Sequence, residues 1–338
     1  MVVRKKQKPM FLSRMIHPTQ MITDLAELFR PVDPEKMQLA DSVVRYIGLR
    51  LHEGLLRETD TYRHLHLHLV TRFAGELGHL NLRDLTAEQL RGWLAALPVA
   101  PLTKRHHLVS VKTFLKRAHA EGWVMRDVSM AVKPPIVEEE DVEVIPVRQA
   151  WQFFRANRDH RAIGRVALEA FGGLRYSSAA LLQVGDIKWE LHGLEMPAAK
   201  HKSRKRKFRQ GQPDNLWAWL KHAPDACWSL TKRQYASEKA EMLVNAGLRP
   251  MICKSDDDRQ RLKCLRNVWR HSFASYLLAR LKSYAPVQYL MQHSKASTTE
   301  IYEGRATERD ATLYFAITPE SVLLSWEEFA HENNNRTN

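Results

Sequence analysis

Cys264-Leu265-Arg266-Asn267-Val268-Trp269-Arg270-His271-Ser272-Phe273-Ala274-Ser275-Tyr276-Leu277-Leu278 is the stretch on which the reading of this chain turns. Wound as a helix at about 100° per residue, Leu265, Trp269, Phe273, Tyr276 and Leu277 fall in one band roughly 120° wide. Asn267 and Arg270 lie one turn apart outside that band. A long arginine beside an amide, both turned from a core stripe, suits an oxyanion partner. The chain runs on through Leu290-Met291-Gln292-His293-Ser294 to Thr298-Thr299-Glu300-Ile301-Tyr302, adding a histidine and a tyrosine. Periodicity alone fits an ordinary packed helix with an incidental Arg, His and Tyr just as well.

A second stretch changes the balance. Gly173-Leu174-Arg175-Tyr176-Ser177 is followed by Leu181-Leu182-Gln183-Val184-Gly185-Asp186-Ile187. Together the two stretches resemble the tyrosine recombinases, the family of phage integrases and Xer recombinases. That family carries Gly-Leu-Arg before a helix, a β-hairpin lysine, His-x-x-Arg-His, a Gly-His pair and a final tyrosine. Arg175, Lys200, Arg270, His293 and Tyr302 match that order and spacing. The likeness is specific in the C-terminal half and only general in the N-terminal half.

The resemblance implies a chemistry and a residue for each part of it. Tyr302 would be the nucleophile at a DNA phosphodiester, giving a 3′-phosphotyrosyl enzyme and a free 5′-hydroxyl. A phenol with an ordinary pKa near 10 is a poor nucleophile at neutral pH and needs help. Arg175 and Arg270 would clamp the non-bridging oxygens, His293 would add a hydrogen bond, and Lys200 would protonate the leaving oxygen, with Lys202 close behind it as a candidate. Asn267 stands at the usual histidine position as an auxiliary donor that cannot titrate. Ser178 stands where an acid often follows the arginine. These two departures keep open a catalytically weakened DNA-binding relative. A type IB topoisomerase-like strand relaxer, sharing the chemistry, is the other alternative to a site-specific recombinase or integrase acting in integration or excision of a mobile element.

Bulk properties bound the reading independently. Lys and Arg number 52 against 38 Asp and Glu, a net charge of +14, which favours a polyanionic partner such as double-stranded DNA. A hydrophobic share of 44% supports packed cores over 338 residues, enough for two domains. Cys227, Cys253 and Cys264 form no CxxC pair and read as reduced thiols of a cytoplasmic, nucleoid-associated protein. No apolar run approaches the roughly 20 residues of a membrane span. Neither a two-metal carboxylate cluster nor a GxxxxGK[ST] loop is present, so the sequence predicts no cofactor and no metal. His64, His66 and His68 invite a zinc reading, but no third ligand follows at a suitable spacing, and they read as surface or DNA-facing histidines.

The expected fold is mainly α with a small β-sheet, in two domains that the resemblance would arrange as a C-shaped clamp on DNA. Residues 1–37 form a basic arm. Residues 38–132 form a helical core-binding domain, with a Thr86/Gln89 capping box and a helix from Thr103 to Glu121. On that helix Leu108, Val111, Phe114, Leu115 and Ala118 make a core side, and Arg105, Lys112 and Lys116 share the other, placed for phosphate contacts or for plain solvation. Residues 133–146 are a Pro-containing acidic linker. The catalytic domain spans 147–318, with a hairpin at Lys200–Arg209 in which Lys202, Arg204, Lys205 and Arg206 join Lys200 as DNA-binding residues. A tail over 319–338 docks on a neighbouring protomer or on its own domain, and the family resemblance implies a homo-tetramer on paired sites.

Overall fold

Apolar side chains at helical spacing gather into two separate cores, and the chain divides between Glu139 and Glu140 into two compact units. The computed structural model describes residues 33–53, 61–137, 142–196, 207–248, 267–293 and 296–334. The fold is mainly helical, with one three-stranded sheet.

In the N-terminal unit, α1 (Leu39–His52), α2 (Thr61–Leu77), α3 (Ala87–Ala96) and α4 (Pro101–Ala120) surround a core containing Tyr46, Phe73, Leu90 and Phe114. The signal read at the start of α3 is present. Thr86 and Gln89 form a reciprocal capping box, and Gly122 takes a left-handed φ of 73° after α4. Leu108, Val111, Phe114, Leu115 and Ala118 are buried, while Arg105 and Lys116 are exposed and Lys112 half-buried on the opposite side of α4. The histidine reading needs correction. His66 is buried and its Nε2 lies 2.7 Å from Tyr46 Oη, so it belongs to the core, where burial first and then Arg50 push its pKa down to about 4.

In the C-terminal unit α5 (Val147–Ala156) and the buried helix α6 (Ile163–Ala170) contribute to one hydrophobic core. A turn through Gly172 and Gly173 leads to the short α7 (Tyr176–Ala179), whose N-cap is Arg175. The antiparallel strands β1 (Ile187–Lys188), β2 (Gly193–Met196) and β3 (Lys207–Gln210) follow. Next come α8 (Asp214–His222), α9 (Ala226–Ser229), α10 (Lys232–Asn245), α11 (Val268–Leu281), α12 (Tyr284–Met291), α13 (Ser297–Glu300), α14 (Glu308–Phe315) and α15 (Trp326–Asn334).

One expectation about α11 fails. From Val268 to Leu278 every residue except the half-buried His271 is buried. The helix therefore has no solvent face there, and Arg270, read as turned outward, is only 6% exposed. Neighbouring elements cover the side that periodicity left free. The acidic segment before α5 also contributes to this core, since Ile145 is buried, with its N–H on Ser272 Oγ at 2.9 Å and its carbonyl accepting from Tyr276 Oη at 2.7 Å. In the single chain, Phe329 of α15 is buried and stacks on Trp151. Residues 1–32 of the basic arm, the acidic run 138–141 and Lys200, Lys202, Arg204, Lys205 and Arg206 lie outside the described residues.

Gly173 is the tightest point of this frame. Its φ is +62°, and an added Cβ would lie 2.5 Å from two ring carbons of Phe273 and 3.1 Å from Met291 Sδ. Left-handed strain and a ring overlap in a close-packed core act together. Gly173→Ala should therefore lower the stability of this unit by about 2–4 kcal/mol, read as a reduced midpoint in thermal or urea unfolding.

Candidate active site

Arg270 joins three pieces of chain. It sits in the first turn of α11, and its Nη1 donates to the carbonyl of Gly173, in the turn before Arg175. Its Nη2 donates to the carbonyl of Met291 at 2.5 Å, at the end of α12, and lies 3.3 Å from His293 Nε2. Because guanidinium nitrogens only donate, Nε2 is the accepting nitrogen of His293. Nδ1 then carries the proton and donates to Thr299 Oγ1, 2.9 Å away.

The end of α12 explains why His293 points here. Gln292 takes a left-handed φ of 52°, and the N–H of His293 folds back on Gln288 O at 3.1 Å. The chain reverses at that point, so α13 and Tyr302 follow on the same side. The Tyr302 ring lies parallel to His293, with centroids 6.1 Å apart and an interplanar angle of 10°. Tyr302 Oη is 3.1 Å from His271 Nδ1, one residue beyond Arg270. Tyr302 is 3% exposed and reaches the pocket from its own chain.

Arg175 reaches the site differently. It is exposed, its backbone is extended at the N-cap of α7, and among the described residues its side chain makes no hydrogen bond or ion pair. Its charge is felt by the others. Burial pushes Arg270 down to about 9, with Arg175 as the next cause, and it stays protonated at neutral pH. Burial raises the Tyr302 phenol, while Arg270 and then Arg175 pull it back down. Burial also drives both His271 and His293 down to about 4, helped by Arg270 and, for His293, by Arg175. Both imidazoles are therefore neutral hydrogen-bonding groups at pH 7.

Of the residues read from sequence, Arg270, His293 and Tyr302 come together in contact, with Arg175 close enough to shift their pKa values. Asn267 is the exposed N-cap of α11 and caps nothing with its side chain. The hairpin lysines lie beyond β2 and β3, outside the described residues. Two other tyrosines of this unit are engaged elsewhere: Tyr176 Oη donates to Lys232 O at 2.8 Å, and the fully buried Tyr314 donates to Ala170 O at 2.8 Å. Sequence reading passed over His271, although it closes the quoted Arg-His pair, and over Thr299, whose hydroxyl no motif marks. Among the described residues the one three-ligand group, His160, Glu238 and Glu241, lies elsewhere, and Glu238 is already ion-paired with Arg161.

The neutral histidines give a pH signature. The unfolded chain binds protons near pH 6.5 that the folded site refuses until about pH 4. Stability present above pH 6.5 should therefore be lost as pH falls through about 4. Melting temperature followed from pH 7 to 4 should decline, and His293→Gln should flatten part of that decline.

No family model matches the chain. By sequence it is similar to tyrosine recombinase XerC of Myxococcus xanthus, 26% identical over 262 residues that cover 73% of this chain and 87% of the relative. The fold is similar to a lambda integrase dimer bound to a COC′ core site, with TM-score 0.58, 14% identity, and 80% of this chain and 98% of that one covered. It is also similar to the Tn1549 transposon integrase in complex with circular intermediate DNA, with TM-score 0.57, 13% identity, and 82% and 98% covered. At such identities the structures speak to fold alone, and the recombinase-like sequence adds the ordered Arg, Arg, His and Tyr of one pocket. In sequence and in fold, then, the chain is similar to the tyrosine recombinases and integrases.

Proposed function

We propose that this protein is a site-specific DNA recombinase that cuts and rejoins strands through Tyr302, in the integration or excision of a mobile element. What carries the reading is the convergence of Tyr302, Arg270, His293 and His271 in one chain, within the field of Arg175. In the forward step Tyr302 Oη bonds to phosphorus and the bond from phosphorus to the 5′-oxygen breaks. The phenolic proton passes to His271 Nδ1, which it already faces. The leaving 5′-oxygen takes a proton from Lys200 or Lys202. Arg175 and Arg270 hold the non-bridging oxygens as charge builds on them, the work that preorganised donors do best. His293 exchanges its contact with Arg270 for a phosphate oxygen by changing tautomer, Nδ1 then accepting from the Thr299 hydroxyl and Nε2–H donating to the phosphate, and Asn267 adds an amide donor. Rejoining reverses each transfer, and the phosphotyrosyl bond conserves the energy of the phosphodiester.

The +14 charge and the Arg105, Lys112 and Lys116 side of α4 support binding to double-stranded DNA, as do Lys202, Arg204, Lys205 and Arg206 of the basic run. Exchange between two duplexes breaks four strands. One nucleophile per chain then calls for a tetramer on paired sites, with the 319–338 tail as a candidate link between protomers. Such work belongs in the compartment that holds the DNA, the cytoplasm with its nucleoid.

The test starts from fragmented genomic DNA of the cell the protein comes from. Wild-type protein should form adducts that survive detergent, and the captured ends give the site. On a duplex of that site, nicked so that the freed 5′-hydroxyl strand is lost, Tyr302→Phe should bind but form no adduct, and Arg175→Ala should react about 10²–10³-fold more slowly. A full adduct yield from Tyr302→Phe refutes the nucleophile. Relaxation of supercoiled plasmid without exchange between two sites supports a topoisomerase instead.

A further inference from the structure

We propose that Arg209 is a third guanidinium of the phosphate site, held beside Arg175 and Arg270 to meet the charge that develops on the phosphoryl oxygens. The inference rests on the recombinase reading above.

Arg209 lies on β3 directly opposite Leu194 of β2. Leu194 is fully buried, so that face of the sheet looks into the protein, whereas Phe208 next door is 39% exposed on the other face. Arg209 itself is 2% exposed. A buried guanidinium should be fully bonded, because an unpaired interior charge is among the costliest features a fold can carry. Arg165 shows how this protein satisfies one. Also fully buried, it donates to five carbonyls, those of Cys227 at 2.8 Å, Ala179 at 3.1 Å, Trp228 and Leu230 at 3.0 Å, and Ala180. Arg209 has nothing comparable. Its Nη1 meets only the weakly accepting sulfur of Met196 at 3.9 Å, and its Nε has no partner among the described residues. Among those residues no carboxylate pairs with it.

Its surroundings add repulsion. Burial first and Arg175 second push Arg209 down to about 10, so it stays charged at neutral pH, and its own charge helps depress Arg270. Three guanidinium groups therefore act on one another with little local compensation. A chain selected only to fold would place an apolar residue opposite Leu194. An anion entering between the three relieves the repulsion and gives Arg209 its missing acceptor. This is stored electrostatic cost of the kind that functional sites carry.

The two roles a buried arginine can have predict opposite changes in stability. A structural arginine destabilises the fold when removed, but an uncompensated one stabilises it when replaced by an apolar side chain of similar length. In the full chain, Arg209→Met should hold or raise the melting temperature, by up to a few degrees. On the nicked duplex it should form the Tyr302 adduct about 100-fold more slowly at saturating protein, and Arg209→Lys should recover part of that rate. A methylphosphonate at the scissile position removes the charge that Arg209 meets, so there the ratio of wild type to Arg209→Met should shrink severalfold. A rate for Arg209→Met within about threefold of wild type overturns the inference. So does a lowered melting temperature, or a ratio unchanged on the methylphosphonate. If wild type itself forms no adduct, the recombinase reading fails, and this inference with it.

Discussion

A single side chain ties the catalytic unit together. The Arg270 guanidinium spans the turn before α7 and the end of α12, two segments 118 residues apart in sequence (291 − 173), by donating to the carbonyls of Gly173 and Met291. Hydrogen bonds from a charged donor in a poorly hydrated interior contribute more than neutral ones, roughly 1.5–3 kcal/mol each. Each accepting carbonyl also sits beside a functional position. Gly173 is two residues before Arg175, and Met291 two before His293. Arg270 thus fixes the spacing of the site as well as charging it, so losing it removes both a charge and the frame that holds the others.

The site concentrates positive charge where water is scarce. Arg270 and Arg209 are nearly buried, Arg175 stands at the mouth, and among the described residues no carboxylate pairs with any of the three. The nearest buried acid, Glu169, is committed to Lys239 at 2.7 Å and to the hydroxyl of Tyr235. That pairing leaves the charge of the three guanidinium groups without a carboxylate counter-ion among the described residues, as the proposed phosphate site requires. Burial first, and the same field behind it, keep His271 and His293 neutral, and the field opposes the rise that burial imposes on Tyr302. In the free protein the phenol remains protonated, and in the proposed reaction a bound phosphate would complete the electrostatics, so that reactivity would depend on the DNA being in place.

Buried polar groups elsewhere show the contrast between structural and functional use. His66 closes on Tyr46, and Arg165 on five carbonyls. Tyr235 lies against Tyr176 with rings 5.2 Å apart and nearly parallel, holding the residue after Arg175. Arg165 and Tyr235 are satisfied within the fold, and His66 is held by its contact with Tyr46. By contrast, the buried Arg209 Nε has no partner among the described residues.

Much of this was legible in the linear chain. The stripe of α4, the Thr86 box, the Gly173 turn and the strand pair around a basic run follow from local periodicity, capping and turn chemistry, which depend on near neighbours. Arg175, Arg270, His293 and Tyr302 were readable because their order and spacing form a pattern. What only the tertiary structure decided are the properties set by segments distant in sequence. Arg270 proved buried because the Gly173 turn and α12 close over a helix face that periodicity left open. His271 gained its place through Tyr302, which lies beyond two further helices. Arg209 could not be told from its basic neighbours by composition, since only strand register decides which residue of such a run faces the interior. Burial and field are sums over the whole fold, and a sequence specifies them only once the chain has closed on itself.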